Sequence, residues 1–519
     1  MHPSRNQTSR RTRSHVPTGS QHNNRSGHNL HNRRQRTNRS VYTQPTRHLF
    51  AYLIGGTVFG LLLLWGLSQL SRHSRSLPLQ PSLPQDPQIQ VYFNHSQSAS
   101  YTEPYRQRHR YGHDLEEVIV EAIASANQSV DVAVQELQLP NIAHALKERH
   151  ESGVRVRVIL ENQYSQPWSD RTTQEIRNLD HRHQGDYMEF HHFVDVDGDR
   201  QISQDELLER DALTILQAAN VPVLDDTADG SKGSGLMHHK FVLIDEKQVV
   251  LGSLNFTLSG SHGDWESDTS FGNANHLLSI HSPELTSRFT EEFELMWGDG
   301  PNNNTDSQFG LQKPYRSPQS IELSPTSSIT VQFSPTSSSR HNWSDSTNGL
   351  ISRTLNRSQH SIDLALFVFS AQPLSNTLQQ KRTQQTTIRA LIDARFAYRY
   401  YSEALDMMGV MLPDAQCRYA SDNQRWRQPL TTVGVPQLNE GDILHHKFGV
   451  IDRRIVITGS QNWSKAANTN NDETVLIVEN ETVAAHFQQE FDRLYRSAEL
   501  GIPGWLQDKI QAERDRCLT

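Results

Sequence analysis

Cysteine is nearly absent from this chain. Two in 519 residues exclude a disulfide-rich scaffold and a cysteine-built zinc cluster. Apolar residues are also scarce, at 35% with a mean hydropathy of −0.67, so long polar stretches dilute one or more ordinary cores. Residues 1–47 have no lysine and no acidic residue; their ten arginines give +10, and Arg72 and Arg75 add two more. From Ser76 onward 38 Lys+Arg face 58 Asp+Glu, a net charge of −20. A body so acidic argues against a broad surface for non-specific nucleic-acid binding.

What is present divides the chain. Residues 1–47 are rich in Arg, Asn, Ser, Thr and His without apolar periodicity, and are expected to be a disordered basic tail lying near anionic lipids. Leu49 to Leu67 is uncharged for 19 residues, about the thickness of a bilayer core, so residues 48–70 are expected to form a retained transmembrane anchor. Five arginines between Arg33 and Arg47, against two just beyond the span, put the N-terminus in the cytoplasm. The rest would then be extracytoplasmic, in a periplasm. Gly56 and Gly60 form one GxxxG, a weak hint of transmembrane self-association. Pro78, Pro81, Pro84 and Pro87 suit a stalk over 71–88. A first lobe is expected over 89–298, a linker rich in Asn, Ser and Pro over 299–327, and a second lobe over 328–519.

The two lobes read as repeats. Ser129-VDVAVQEL resembles Ser361-IDLALFVF, each with an Asp at the third position. Each follows a helical segment (Leu115 to Ala126; Gly349 to Asn356) and precedes another helix and a second strand, at Val154-RVRVIL and Thr387-IRALID. Alternating strands and helices predict an α/β fold with a sheet in each half. Each half closes with an amphipathic helix, carrying Phe289/Phe293 or Phe487/Phe491.

Late in each repeat stands the most informative segment: HHKFVLIDEKQVVLGSLNF from His238 and HHKFGVIDRRIVITGSQNW from His445. Both fit H-x-K-x4-D-x6-G-S-x-N without a gap. The first uses His238, Lys240, Asp245, Gly252, Ser253 and Asn255; the second uses His445, Lys447, Asp452, Gly459, Ser460 and Asn462. On a strand His-x-Lys turns both side chains to one face. An imidazole beside an ammonium suits an anion that the lysine neutralises while the imidazole attacks or protonates. Gly-Ser-x-Asn at the next strand end supplies hydroxyl, amide and backbone donors to the same anion. Glu266 and Glu473, each 28 residues after its His, are expected to fix the imidazole tautomers. His239 and His446 should face the other way, as packing or surface residues.

These doubled motifs resemble the phospholipase D superfamily, over about Ile89 to Tyr495. GSLNFT and GSQNWSKAA look most like its bacterial endonuclease and phospholipase D-like branches, and less like cardiolipin synthases. The resemblance implies two lobes about a pseudo-twofold axis with both histidines in one cleft. One His would attack phosphorus to form a phosphohistidine, and the other would protonate the leaving alcohol. It suggests His238 as nucleophile and His445 as acid, with Lys240, Ser253, Asn255, Lys447, Ser460 and Asn462 holding the phosphate. Asp245 and Asp452 would be structural ion-pair partners within the motif, and catalysis would need no metal.

The first half is about 25 residues longer than the second between the repeated Asp and the motif. That excess holds Asp195-VDGDRQISQDEL, a calcium loop of EF-hand type over 195–206. Asp195, Asp197, Asp199, Ser203 and Glu206 stand at positions 1, 3, 5, 9 and 12, and Gln201 gives its carbonyl at 7. Arg200 replaces the usual Gly, the entering YMEFHHFV alternates like a strand, and an exit helix is expected from Glu206 to Asn220. Any calcium there would be structural. Cys417 and Cys517 are a candidate disulfide if the body is exported. The leading expectation is a phospholipid-cleaving or head-group-exchanging phosphodiesterase beside its bilayer. A metal-independent endonuclease and a non-catalytic calcium-dependent surface protein are the alternatives.

Overall fold

Runs of β-branched residues between helices build two sheets. In the first, β1 (Ile89–Phe93), β2 (Ser129–Val134), β3 (Arg155–Leu160), β4 (Val223–Asp225), β5 (Lys240–Ile244), β6 (Gln248–Gly252) and β7 (His276–His281) lie in the order β1-β7-β6-β5-β2-β3-β4. The second holds β8 (Gln319–Ser324), β9 (Ser327–Phe333), β10 (Ser361–Leu366), β11 (Thr387–Ile392), β12 (Val433–Val435), β13 (Lys447–Ile451), β14 (Ile455–Gly459), β15 (Thr474–Glu479) and β16 (Glu499–Leu500). Its order is β8-β9-β15-β14-β13-β10-β11-β12-β16. The same mixed pattern recurs: three parallel strands (β2-β3-β4; β10-β11-β12), with the motif strand, β5 or β13, antiparallel to the first of them. This computed structural model describes residues 80–227, 235–301 and 304–518. The expected tail, the transmembrane span with its GxxxG and the first half of the stalk lie outside the described residues. Among those described, no helix is long and apolar enough to cross a membrane.

Helices cover both faces of both sheets, which is why β2 and β10 are buried along nearly their whole length. α1 (Leu115–Ala124) and α2 (Pro140–Glu151) pack on the outer face of the first sheet. In the inserted segment follow α3 (His181–Val194) and α4 (Gln204–Arg210). α5 (Pro283–Trp297) closes the first lobe. α6 (Thr347–Asn356) and α7 (Gln372–Thr383) cover the outer face of the second sheet, which α8 (Glu481–Tyr495) closes before α9 (Gly504–Leu518). Phe289 and Phe293 of α5 and Phe487 and Phe491 of α8 belong to one buried cluster with strands of both sheets, so the lobes share a core. Each such Phe is worth about 3 kcal/mol of burial. Residues from Pro78 onward form one compact unit whose three apolar clusters all begin at or after Ile89.

The repeated Asp at the third strand position has a shared purpose. Asp131 on β2 accepts from Arg157 on β3 at 2.7 Å, and Arg157 also pairs with Glu294 and lies over the Phe293 ring at 4.7 Å. Asp363, Arg389, Asp492 and Phe491 repeat the arrangement, with 2.7 Å between Arg389 Nε and Asp363. A buried carboxylate needs such a partner, and a guanidinium over an aromatic face keeps its own apolar contact.

Four expectations change. The 299–327 stretch is more than a linker: β8 pairs with β9 at the edge of the second sheet, and Phe309 is buried in the shared core. The described end of the stalk does not stand away from the body, since Pro84 and Pro81 carbonyls accept from His486 and Gln489 on α8, and Asp86 accepts from Asn480. YMEFHHFV lies within helix α3, where its apolar residues meet Trp168 and Tyr105. The exit helix stops at Arg210, and Asp211 caps a separate helix, Ala212–Ala218.

Cys417 and Cys517 are joined, tying the turn at 414–418 to α9 across 100 residues of sequence. Closing so long a loop restricts the unfolded chain, and replacing both cysteines by serine should cost about 2–4 kcal/mol in urea unfolding. Equal unfolding midpoints for the two proteins would contradict this role.

Candidate active site

The motif strands meet where the lobes abut. β5 and β13 start at Lys240 and Lys447, and the residues just before them bond to the opposite lobe: the His238 N–H donates to the Asp472 carbonyl at 3.0 Å and the His445 N–H to Ala274 at 3.1 Å. Two carboxylates at strand ends hold the preceding residues. Glu161, just after β3, accepts from the Met237 N–H at 2.8 Å, and Asp393, just after β11, accepts from Leu444 at 2.9 Å.

Period-two alternation then divides the HHK triplets. Lys240 and Lys447 turn back on their own histidines, donating to the His238 and His445 carbonyls at 3.0 and 2.6 Å. Lys240 also reaches Gln135 at 3.4 Å, whereas Lys447 lies over the Phe367 ring at 4.9 Å. His239 and His446 point into the shared core. His239 bonds Thr474 and Glu292, and His446 bonds His276 and Glu490. Lys313 and Arg316, both in the expected linker, complete the charge around Glu292.

Behind each catalytic candidate stands a residue of the other repeat. His238 Nδ1 is 2.6 Å from Glu473, and His445 Nδ1 is 2.9 Å from Asn275. Each supporting residue immediately precedes the strand after its GSxN, and each receives a serine hydroxyl at 2.8 Å: Ser460 to Glu473, Ser253 to Asn275. Glu266 does not take part. It is exposed and pairs with His192, and Asn275 occupies the place expected for it. The segment from Gly252 to β7 is nine residues longer than its counterpart from Gly459 to β15, which breaks the shared offset. Ser253 and Ser460, expected at the phosphate, are bound to these supporting groups instead. Asn255 and Asn462 keep side-chain carbonyls without a protein partner among the described residues.

Asp245 and Asp452 form no ion pair among the described residues and lie at the far ends of the motif strands from the lysines. Asp245 accepts the N–H groups of Asn127, Gln128 and Ser129 at 2.7–3.1 Å, fixing the entry to β2. Asp452 does the same for Gln359, His360 and Ser361 before β10. Against the effect of burial, these donors hold both carboxyls below the ordinary range.

Burial dominates the electrostatics of the cleft. It lowers His238 to about 4, with Glu473 opposing and Lys240 and Lys447 adding to the fall. His445 is lowered well below its ordinary value by burial and then by both lysines. Burial brings Lys240 down to about 7, Glu473 again opposing, and takes Lys447 well below the ordinary lysine range. Four basic groups lowered in this way form a site that an entering phosphodiester anion would recharge.

The family model described as "Cardiolipin synthase, PLD-like domain" matches residues 119–297 and 351–495. The chain belongs to this phospholipase D-like family of the phospholipase D superfamily of phosphodiesterases. Its GSxN segments had pointed away from the cardiolipin synthase branch, and this match does not support that reading. The human mitochondrial cardiolipin hydrolase is 30% identical over 145 residues, 28% of this chain and 48% of that protein. The Chlamydomonas reinhardtii mitochondrial cardiolipin hydrolase is 39% identical over 75 residues, 14% and 33% of the two chains. The chain spans about half the length of the first of these relatives. In fold it is similar to the phosphatidylserine synthase of Haemophilus influenzae Rd KW20, with a TM-score of 0.50 at 10% identity over 84% of this chain and 95% of the other.

Asn275, Glu161 and Asp393 escaped the sequence reading. The two carboxylates were visible as acids at equivalent strand ends, but Asn275 carries no signature of its own. With His238 lowered to about 4 from 6.5, its imidazole should remain neutral as the pH falls through 6.5 and gain its proton only near 4. Histidine NMR across that range tests this, and a His238 midpoint at 6.5 would contradict it.

Proposed function

We propose that the protein is a membrane-anchored phosphodiesterase of phospholipase D type that hydrolyses, or exchanges, phospholipid head groups. The observation that carries the reading is the pair of imidazoles, each held by the opposite lobe, with a buried lysine beside each. Names among the relatives support a lipid substrate, as do the apolar run at 49–67 and the −20 charge of the body, which disfavours long polyanions. The charge pattern around that run supports a cytoplasmic N-terminus and an extracytoplasmic, periplasmic body.

The half-sites differ, and the difference supports His238 as nucleophile and His445 as acid. Glu473 places negative charge behind His238, which favours the positive charge that ring acquires when its Nε2 lone pair forms the P–N bond. Asn275 offers His445 orientation without charge, so an imidazolium there releases its proton more readily to the leaving oxygen as the P–O bond breaks. In the second step His445 takes a proton from water, or from an acceptor alcohol, as that oxygen attacks phosphorus and the P–N bond opens. Lys240, Lys447, Asn255 and Asn462 hold the phosphoryl oxygens, and no metal enters these steps.

Calcium belongs to this reading as a structural ion at 195–206. The Asp195, Asp197 and Asp199 carboxylates lie within 4.8 Å of one another, and Asp195 Oδ1 is buried without a partner among the described residues. Arg200 takes the left-handed conformation (φ 69°) that position 6 requires despite lacking a glycine's freedom. Glu206 is bound to Val196, Asp197 and Ser203 and would exchange some of these contacts for the ion. Adding calcium should raise the melting temperature, and Asp195→Asn with Asp197→Asn should abolish the rise. A melting temperature indifferent to calcium would remove the ion from the reading.

The decisive assay offers the fragment from Pro78 phospholipid vesicles and plasmid DNA side by side, with EDTA present. Head-group release that survives EDTA is expected. It should vanish in His445→Ala, fall about 10- to 100-fold in Glu473→Gln and stay within about twofold in Glu266→Gln. Plasmid nicking with inert vesicles would move the protein to the nuclease reading.

A further inference from the structure

The second lobe carries a basic, aromatic surface beside the cleft that the reaction does not use. Among the described residues of 395–427, five arginines are exposed and Asp422 is the one exposed acid; Glu403 and Asp406 are buried, and Asp414 is tied to Arg418 at 2.8 Å. This reverses the sign of a body whose net charge is −20. Tyr400, Tyr401 and Tyr419 are 38–52% exposed within it, an unusual outlay of large aromatic surface to water. They are linked locally: the Tyr400 and Tyr401 rings are 5.1 Å apart, and Asn423, four residues beyond Tyr419, donates to the Tyr400 carbonyl at 3.4 Å.

A groove of about 710 Å³ lies in the same segment, between α7 and residues 424–428. Arg382, Arg425 and Arg427 line it with glutamines, and no acidic side chain does. Guanidinium and amide donors without a competing carboxylate match phosphate oxygens. One end of the surface, at Arg395, lies near the catalytic centre, whereas Arg382 stands at the other end of α7, where the neighbouring Lys381 donates to the Asn356 carbonyl ahead of β10. Asp393, which holds the residue before His445, caps the short helix Ala394–Ala397, and Arg395 donates to the Gly441 carbonyl at 3.3 Å.

We propose that this face docks the enzyme on a bilayer containing anionic phospholipid, with the arginine groove taking lipid phosphates and the tyrosines entering the interface. The proposal rests on the phospholipid reading and deepens it by adding a second contact with the bilayer, on the outer face of the second lobe. Tyrosine rings favour the headgroup level, and each arginine near an anionic surface adds attraction that salt screens.

The test uses the fragment from Pro78, a compact unit that lacks the apolar run. It is sedimented with phosphatidylcholine vesicles, with vesicles also containing phosphatidylglycerol, and, in competition, with a single-stranded oligonucleotide. Salt-sensitive binding to the phosphatidylglycerol vesicles is expected, weakened about tenfold or more by Arg382→Gln, Arg425→Gln and Arg427→Gln together. Tyr400→Ser with Tyr401→Ser should weaken it as well. Both variants should keep the parent melting temperature and parent hydrolysis of a soluble short-chain phosphodiester. Equal binding by parent and arginine variant would overturn the proposal, as would groove-dependent oligonucleotide binding that displaces the vesicles. Vesicle binding through these residues without head-group release would uphold docking while sinking the phospholipase reading. Head-group release unaffected by either variant would do the reverse.

Discussion

The contact between His238 and Glu473 joins residues 235 positions apart across the junction of two lobes. It is 2.6 Å long and forms only when the sheets sit in their mutual register, which the α5 and α8 phenylalanines set by sharing one core. Its counterpart between His445 and Asn275 depends on the same docking. Catalytic geometry is therefore a property of the lobe–lobe packing, and a change that let the lobes slide would loosen both imidazoles at once.

That packing also allows cationic groups to gather where burial disfavours charge. Lys240 and Lys447 are almost fully enclosed, and their carbonyl contacts stabilise them less than water would. Other buried charges stand in pairs: Asp131 with Arg157, Asp363 with Arg389 and Glu490 with Arg493, beneath or beside the sheets. The basic groups of the site are held short of their charged forms, and an entering phosphodiester anion would favour recharging them. Binding and activation thus share one electrostatic origin.

The repeat, its strands and the motif residues were legible because each obeys a local rule: period-two alternation, a fixed offset, or a helix bearing phenylalanines four residues apart. Glu473 was legible from its offset and type, although nothing local indicated that it would serve the His of the other repeat. Asn275 was not legible, since a longer loop moved it out of register and an amide at a strand entry is ordinary. The hydroxyls of Ser253 and Ser460 and the carboxylates of Asp245 and Asp452 were misread for the same reason. Their partners come from segments distant in sequence, and residue type alone fits several partners. Alternation misled at YMEFHHFV because Trp168 and Tyr105, contributed from elsewhere, make a helix there the better-packed choice. The linker was misread from composition, which does not register that Phe309 and Ile321 are enough to bind such a stretch to a core.

The reciprocal support of the histidines has a further consequence for how such a molecule came to exist. One repeat alone lacks the residue that orients its own His, so a single-repeat ancestor would have worked as a twofold dimer with identical supports on both sides. Identical supports cannot favour one imidazole over the other. With both copies in one chain that constraint is absent, and here the supports differ, Glu473 behind His238 and Asn275 behind His445.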